Sequence, residues 1–280
     1  MISSVKRILI PTDFSNTSKK ALAYASVLAE KMGARITILN VIEPPFNFPT
    51  NVEGVIDYLK ENSESHLNRL IDEINDTYPK KKFKVKSQIR IGKPISQILE
   101  AINDLNIDLV VIGSSVDAPT RKVLFGSVST DVILRSNKPV LAVPEEVNGS
   151  EINFKKILFT TNFRPVDFDN LKQTTEFAKL FGSQVDVLHI SDEKDLNTQI
   201  KFRGFKQLAE ESDIYDKLNF KLKINADAFD GISEYISDYS TSMMVMNRYK
   251  KSIVGLLMDK NYAKKMSVYS KVPLLVLIGE

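Results

Sequence analysis

Gly113 and the pair Gly126-Ser127 are the residues of this chain whose types and spacing suit chemistry with a phosphate. Leu109-Val110-Val111-Ile112 leads into Gly113 as a short apolar strand, and Ser114-Ser115 follows as a small-residue loop. A basic, irregular segment then reaches Gly126-Ser127, and from Val128 the pattern turns helical, with Val128, Val132 and Ile133 on one face. A strand that runs into a glycine loop and then a helix start leaves unpaired N–H groups and the helix dipole aimed at one spot. Parallel sheets hold phosphates there. Gly126, Ser127 and Val128 would supply the amides, and the Ser127 hydroxyl a further donor. Many α/β turns carry a glycine and a serine and bind nothing, so the elements around these residues have to be read as well.

Composition narrows the chemistry. The chain has 280 residues with 43% apolar, enough for one large or two ordinary domains with full cores. Thirty-eight Lys and Arg against 35 Asp and Glu leave a net charge of only +3, which demands neither a nucleic-acid nor a membrane partner. The absence of cysteine removes disulfides, thiol catalysis and cysteine-ligated metal. His66 and His189 are the only histidines, so a His-rich metal site is excluded and a Ser-His-Asp triad has few candidates. No apolar run approaches the roughly 18 residues of a membrane span, and Ile8-Leu9-Ile10 is too short for a signal-peptide core. The expectation is a soluble, cytoplasmic protein.

The elements that would position the glycines follow in order. Arg7 to Asp13 reads as a buried strand with a polar tip, and Asp13-Phe14-Ser15-Asn16 offers helix caps. Ala21, Leu22, Ala25, Leu28, Ala29 and Met32 recur at helical spacing until Gly33. Arg35 to Val41 is a second strand. A long amphipathic helix is expected from about Val52 to Tyr78, with Val55, Ile56, Leu59, Leu67, Leu70, Ile71 and Ile74 as its stripe and His66 at the stripe's boundary. Lys80 to Ile91 alternates as a strand with one wet face, its lysines suited to blunting a sheet edge. Pro94 starts the next helix, and Pro139 precedes a last strand, Val140 to Val143. The order β-α-β-α-β-α-β-α-β predicts a doubly wound parallel sheet, with strand order 3-2-1-4-5.

After a polar stretch, Glu145 to Asn153, the pattern repeats. Ile157 to Phe163 falls on Ile8 to Phe14, and Gly182 on Gly33, at an offset of 149 residues; Pro273 falls on Pro139 at an offset of 134. The second copy has therefore lost 15 residues, in the crossover before its third-strand candidate Phe220 to Ile224. Two domains are expected, 1–146 and 152–280. The apolar last strands, Val140 to Val143 and Leu274 to Leu277, are expected to pair antiparallel within the chain as a pseudo-twofold dimer.

Gly113, the nine residues Asp117 to Phe125, and Gly126-Ser127 resemble the loop of the universal stress protein family. Its nucleotide-binding members carry glycine, two residues, glycine, nine residues, then glycine with serine or threonine. Val116 stands where that pattern has its second glycine, which calls for a reshaped loop, because a β-branched residue at positive φ is strained. The resemblance extends over almost the whole chain, as tandem domains of the Rossmann-like, adenine nucleotide alpha hydrolase-like fold. It implies a nucleotide site in the first domain: Asp13 against the nucleoside, Val41 against adenine through its backbone, and Gly113, Ser115, Gly126, Ser127, Val128 and Ser129 around the phosphates. In the second copy Asn162, Asn247, Lys250 and Lys260-Asn261 replace Asp13, Gly113, Val116 and Gly126-Ser127, so its site is degenerate.

Three functions compete. The first is a non-enzymatic stress-associated binder or sensor of ATP or AMP. The second is an enzyme of a related adenine-nucleotide fold, an ATP pyrophosphatase or adenylyltransferase. Such an enzyme needs a glycine-rich phosphate turn after the first strand, or paired histidines. Pro11-Thr12-Asp13-Phe14-Ser15 has neither. The third is a scaffold with both sites decayed. Slow ATP hydrolysis lacks an evident base, and no metal site, nucleic-acid partner or membrane partner is read.

Overall fold

The computed structural model describes residues 2–44, 53–114, 127–147, 152–249 and 271–279. Among the described residues, one compact unit holds residues 4–114 and 127–145, and a second holds the chain from 146 on. In the N-terminal unit β1 is Arg7–Thr12, α1 Asn16–Met32, β2 Arg35–Ile42, α2 Glu53–Thr77 and β3 Val85–Ile91. These are followed by α3 Pro94–Asp104, β4 Leu109–Ser114, α4 Ser127–Arg135 and β5 Val140–Pro144. All five strands are parallel, in the order β3-β2-β1-β4-β5. The doubly wound α/β fold read from the sequence is the fold observed.

The same build recurs after the division. There β6 is Lys156–Thr160, α5 Pro165–Phe181, β7 Gln184–Ser191, α6 Leu196–Glu211, β8 Leu218–Ile224, α7 Ala228–Asp238, β9 Met243–Tyr249 and β10 Leu274–Gly279. The strands are again parallel, in the order β8-β7-β6-β9-β10. Helices α1 and α5 span 17 residues each and end at Gly33 and Gly182, both left-handed at φ 65 and φ 67. A glycine takes that conformation without a Cβ penalty, which is why the repeat keeps one at each helix end.

The central strands are apolar on both faces because helices cover both. Ile8, Leu9, Ile10, Val110, Val111 and Leu141 are buried in the first unit, and Ile157, Leu158, Phe159, Met244 and Val245 in the second. Each such side chain contributes about 1.5–3 kcal/mol on burial. The edges differ from expectation. In α2, Leu67, Leu70 and Ile74 are buried, but Val55 is 41% exposed. A helix of 25 residues spans about 37 Å, against about 23 Å for the seven-residue strand β3, so its first turns overrun the sheet. Strand β3 begins at Val85 rather than near Lys80, and its last residue Ile91 lies at the exposed edge. Phe83 is still buried ahead of the strand, edge-on to Tyr78 at 5.8 Å.

Candidate functional site

Of the residues expected to bind, Asp13 follows β1, Val41 and Gly113 lie near the ends of β2 and β4, and Ser127, Val128 and Ser129 open α4. Strand β1 stops at Thr12, beside Asn40 of β2 in the parallel register. The Asn40 side chain donates to the Thr12 carbonyl at 2.8 Å, and Ser63 of α2 donates to Asn40 Oδ1 at 2.7 Å. Asn40 thus satisfies a buried backbone acceptor and ties β1, β2 and α2 together.

Beyond Thr12 the chain turns sharply. Phe14 adopts φ 64, a left-handed conformation that costs a side-chain-bearing residue about 1–3 kcal/mol. Three contacts hold it there. The Phe14 amide donates to Thr12 Oγ1 at 3.0 Å, the Ser15 amide donates to Asp13 Oδ1 at 3.0 Å, and the Phe14 ring lies 4.9 Å from the His66 ring. Ser15 then caps α1, accepting from the Ser18 amide at 3.2 Å, a contribution of about 1 kcal/mol. Ser18 Oγ donates to the Ser15 carbonyl at 2.9 Å, which uses its single proton. The 3.0 Å contact between Thr12 Oγ1 and Ser18 Oγ is therefore a bond donated by Thr12.

Asp13 sits exposed at this turn and does not cap the helix. Burial works to raise its pKa, but bonds from the side chain and backbone of Ser15 outweigh it, and the carboxyl titrates below its ordinary value. Asp13 is therefore an anion at any neutral pH, presented at the end of β1 as an acceptor.

Gly113, the next-to-last residue of β4, lies against the start of α1, and its environment is tight. A Cβ added there would lie 2.8 Å from the Thr17 carbonyl carbon and oxygen and 2.9 Å from the Ser18 amide nitrogen. The glycine is thus explained by the first turn of α1 resting on the β4 backbone. Because Gly113 faces α1, the next residue faces the other side of the sheet. Ser114 is buried there, and among the described residues its hydroxyl finds no hydrogen-bond partner, nor does Thr130 Oγ1 of α4. A buried hydroxyl without a partner is costly, and the same is found at Ser183 and Thr241 of the second unit.

Helix α1 leaves β1 on one face of the sheet, and right-handed crossovers carry α3 and α4 to the opposite face. The ends of β1 and β4 therefore border the switch point, where α/β sheets open a crevice. Val41 lies one residue from the end of β2, half-buried. Ser127 is the first residue of α4, with Val128 half-buried and Ser129 buried in its first turn. Ser115, Val116 and Gly126 lie outside the described residues.

Sequence reasoning placed His66 at the edge of a helix stripe; in the structure it faces the Phe14 ring, and its Nδ1 meets the Asn62 carbonyl at 2.8 Å. Asn40, Ser63 and Thr12 were not singled out as a framework for the turn. A signal existed in the repeat: Thr161-Asn162-Phe163 recurs at the position of Thr12-Asp13-Phe14. Phe163 again takes φ 59 and packs 4.3 Å from the His189 ring, and His189 Nδ1 meets the Thr161 carbonyl at 2.7 Å. His189 does the work of Asn40. The acid is what differs, since Asn162 stands where Asp13 does.

Among the described residues no cluster of three or more His, Asp or Glu side chains is arranged to hold a metal ion. No described helix is long and apolar enough to cross a membrane.

A doubly wound parallel sheet whose first and fourth strands end in an aspartate turn and a glycine is a Rossmann-like α/β protein with its crevice at the switch point. The chain belongs to the universal stress protein family, whose model matches residues 4–144. It is 31% identical over 152 residues to universal stress protein MJ0577 of Methanocaldococcus jannaschii, covering 49% of this chain and 94% of that one. It is 28% identical over 165 residues to the stress response protein NhaX of Bacillus subtilis, covering 49% and 96%. A universal stress protein from Archaeoglobus fulgidus has the same fold over nearly the full length, with a TM-score of 0.78 at 21% identity, covering 99% of this chain and 97% of that one.

Proposed function

We propose that the N-terminal unit binds an adenine nucleotide, ATP or AMP, and that the protein acts as a non-enzymatic nucleotide sensor in a cytoplasmic stress response. One observation carries this. Asp13 is held ionised at the end of β1, is not used as the α1 cap, and borders the switch point together with Gly113. A carboxylate so placed accepts hydrogen bonds from ribose hydroxyls. The Val41 backbone lies on the neighbouring strand for the base, and the start of α4 with Ser127, Val128 and Ser129 offers amides to phosphate. Gly126 and Ser115 complete the proposed set from the sequence pattern.

Among the described residues at the turn, Asp13 is the one free base, and its proposed role is to accept from ribose hydroxyls rather than to take a proton in catalysis. Thr12 donates its proton to Ser18 and Ser18 donates its own to the Ser15 carbonyl, and His66 packs on Phe14. Binding without turnover fits these residues.

The C-terminal unit is proposed not to bind, because Asn162 and Asn247 stand in place of Asp13 and Gly113. Titration calorimetry with ATP and AMP tests the assignment on wild type, Asp13→Ala and Asn162→Ala. Losing charge-assisted bonds at Asp13 costs on the order of 1.5–3 kcal/mol, roughly tenfold or more in affinity. Asn162→Ala should bind like wild type. A scaffold role is the second reading, favoured by the fact that helix packing alone accounts for Gly113. No heat from wild type at millimolar nucleotide would select it.

A further inference from the structure

At the C-terminal end of the second sheet, three residues replace the repeat-equivalent Ser18, Gly113 and Ser115 of the first unit. They are Asp167, Asn247 and Tyr249, and in the structure they bond to one another. Asp167, in the first turn of α5, is 0% exposed. Its Oδ2 accepts from the Thr161 hydroxyl at 2.9 Å, the Asn162 amide at 2.9 Å and the Arg164 amide at 3.2 Å. Its Oδ1 accepts from the Asn247 side-chain amide at 2.8 Å and from the Tyr249 hydroxyl. Asn170 donates in turn to Asn247 Oδ1 at 2.8 Å, and the Arg164 guanidinium lies 3.9 Å over the Tyr249 ring.

This carboxylate has five donors and spans three elements. In the first unit α1 rests on the bare backbone of Gly113, where a side chain has no room. In the second unit an asparagine occupies that strand position, and side-chain hydrogen bonds bridge β9 to α5 instead. The buried carboxylate would repel an incoming anion, and its oxygens are already taken. Burial and the nearby Asp167 both raise the Tyr249 pKa, which keeps the phenol protonated and able to donate.

We propose that Asp167 is an internal ligand of the second unit: its carboxylate closes the switch-point crevice, joins the ends of β6 and β9 to α5, and excludes nucleotide and phosphate from that end of the sheet. In the first unit the backbone of α1 lies directly against Gly113, and no carboxylate stands at the Ser18 position. The second is closed by its own chain.

Hydrogen exchange on the full-length protein tests this, with the first unit as an internal control of folding. Asp167→Asn turns one acceptor into a donor facing donors, so segments 161–167 and 243–249 should exchange roughly tenfold faster or more, while α1 and β4 are unchanged. Tyr249→Phe removes a donor from Oδ1 only. It should speed exchange at 243–249 and leave the Asn162 and Arg164 amides, which sit on Oδ2, protected. Millimolar ATP or inorganic phosphate added to wild type should leave both segments unaltered. Unchanged exchange in Asp167→Asn, loss of protection on both sides in Tyr249→Phe, or protection of these segments by ATP or phosphate would each overturn the proposal.

Discussion

The side chain of Asn40 donates to the main-chain carbonyl of Thr12 at 2.8 Å, and this bond fixes where β1 ends and the Asp13 turn begins. His189 meets the Thr161 carbonyl at 2.7 Å in the second unit. Two chemically unlike side chains thus satisfy one acceptor at repeat-equivalent places, and in each unit a phenylalanine at positive φ follows that acceptor two residues later.

Asn40→Ala should destabilise the protein by about 1–3 kcal/mol, because the Thr12 carbonyl and the Ser63 hydroxyl are left buried without their partner. Asn40→His should lose less, since a ring N–H can reach the same carbonyl. Urea unfolding of the two variants against wild type checks both. Equal losses would show that the bond to Thr12 does not matter.

Gly113→Ala should cost about 1–3 kcal/mol through overpacking, because its Cβ would lie 2.8 Å from the Thr17 carbonyl and backbone cannot yield as a side chain does. As α1 shifts, the Asp13 turn shifts with it, so nucleotide affinity should fall together with stability. Unfolding and calorimetry on the same preparation measure the two effects.

Acid should act through Asp13. Its folded-state pKa lies below the ordinary value of 3.8, so its stabilising contribution is complete above that value and is lost as the pH falls through the folded pKa. In urea unfolding, the advantage of wild type over Asp13→Asn should hold near neutrality and shrink below about pH 4. An advantage that grows on acidification would contradict the bonds from Ser15.

Val116→Gly should tighten nucleotide binding, because it restores a glycine where nucleotide-binding relatives have one and frees the loop to adopt positive φ. Calorimetry against wild type gives the answer. Weaker binding in the variant would mean that the valine side chain itself contributes.

The fold was legible because its signals are local. Apolar runs such as Leu109 to Ile112, helical spacing from Ala21 to Ala29, and Gly33 and Gly182 at helix ends all act within a few residues of themselves. The repeat multiplied those signals. Tertiary packing alone decided how far an amphipathic stretch is covered: Val55 continues the stripe that Leu67 and Leu70 bury, yet it overruns the sheet. It also decided why Gly113 is glycine, since Thr17 and Ser18 approach from nearly a hundred residues away. The same holds for Asp167. In sequence it is an ordinary acid in the first turn of a helix; its burial under Asn247 and Tyr249 exists only once β9 lies beside β6. Local patterns determine elements through propensity and periodicity, whereas a site is made of distances between elements, which no single stretch of chain contains.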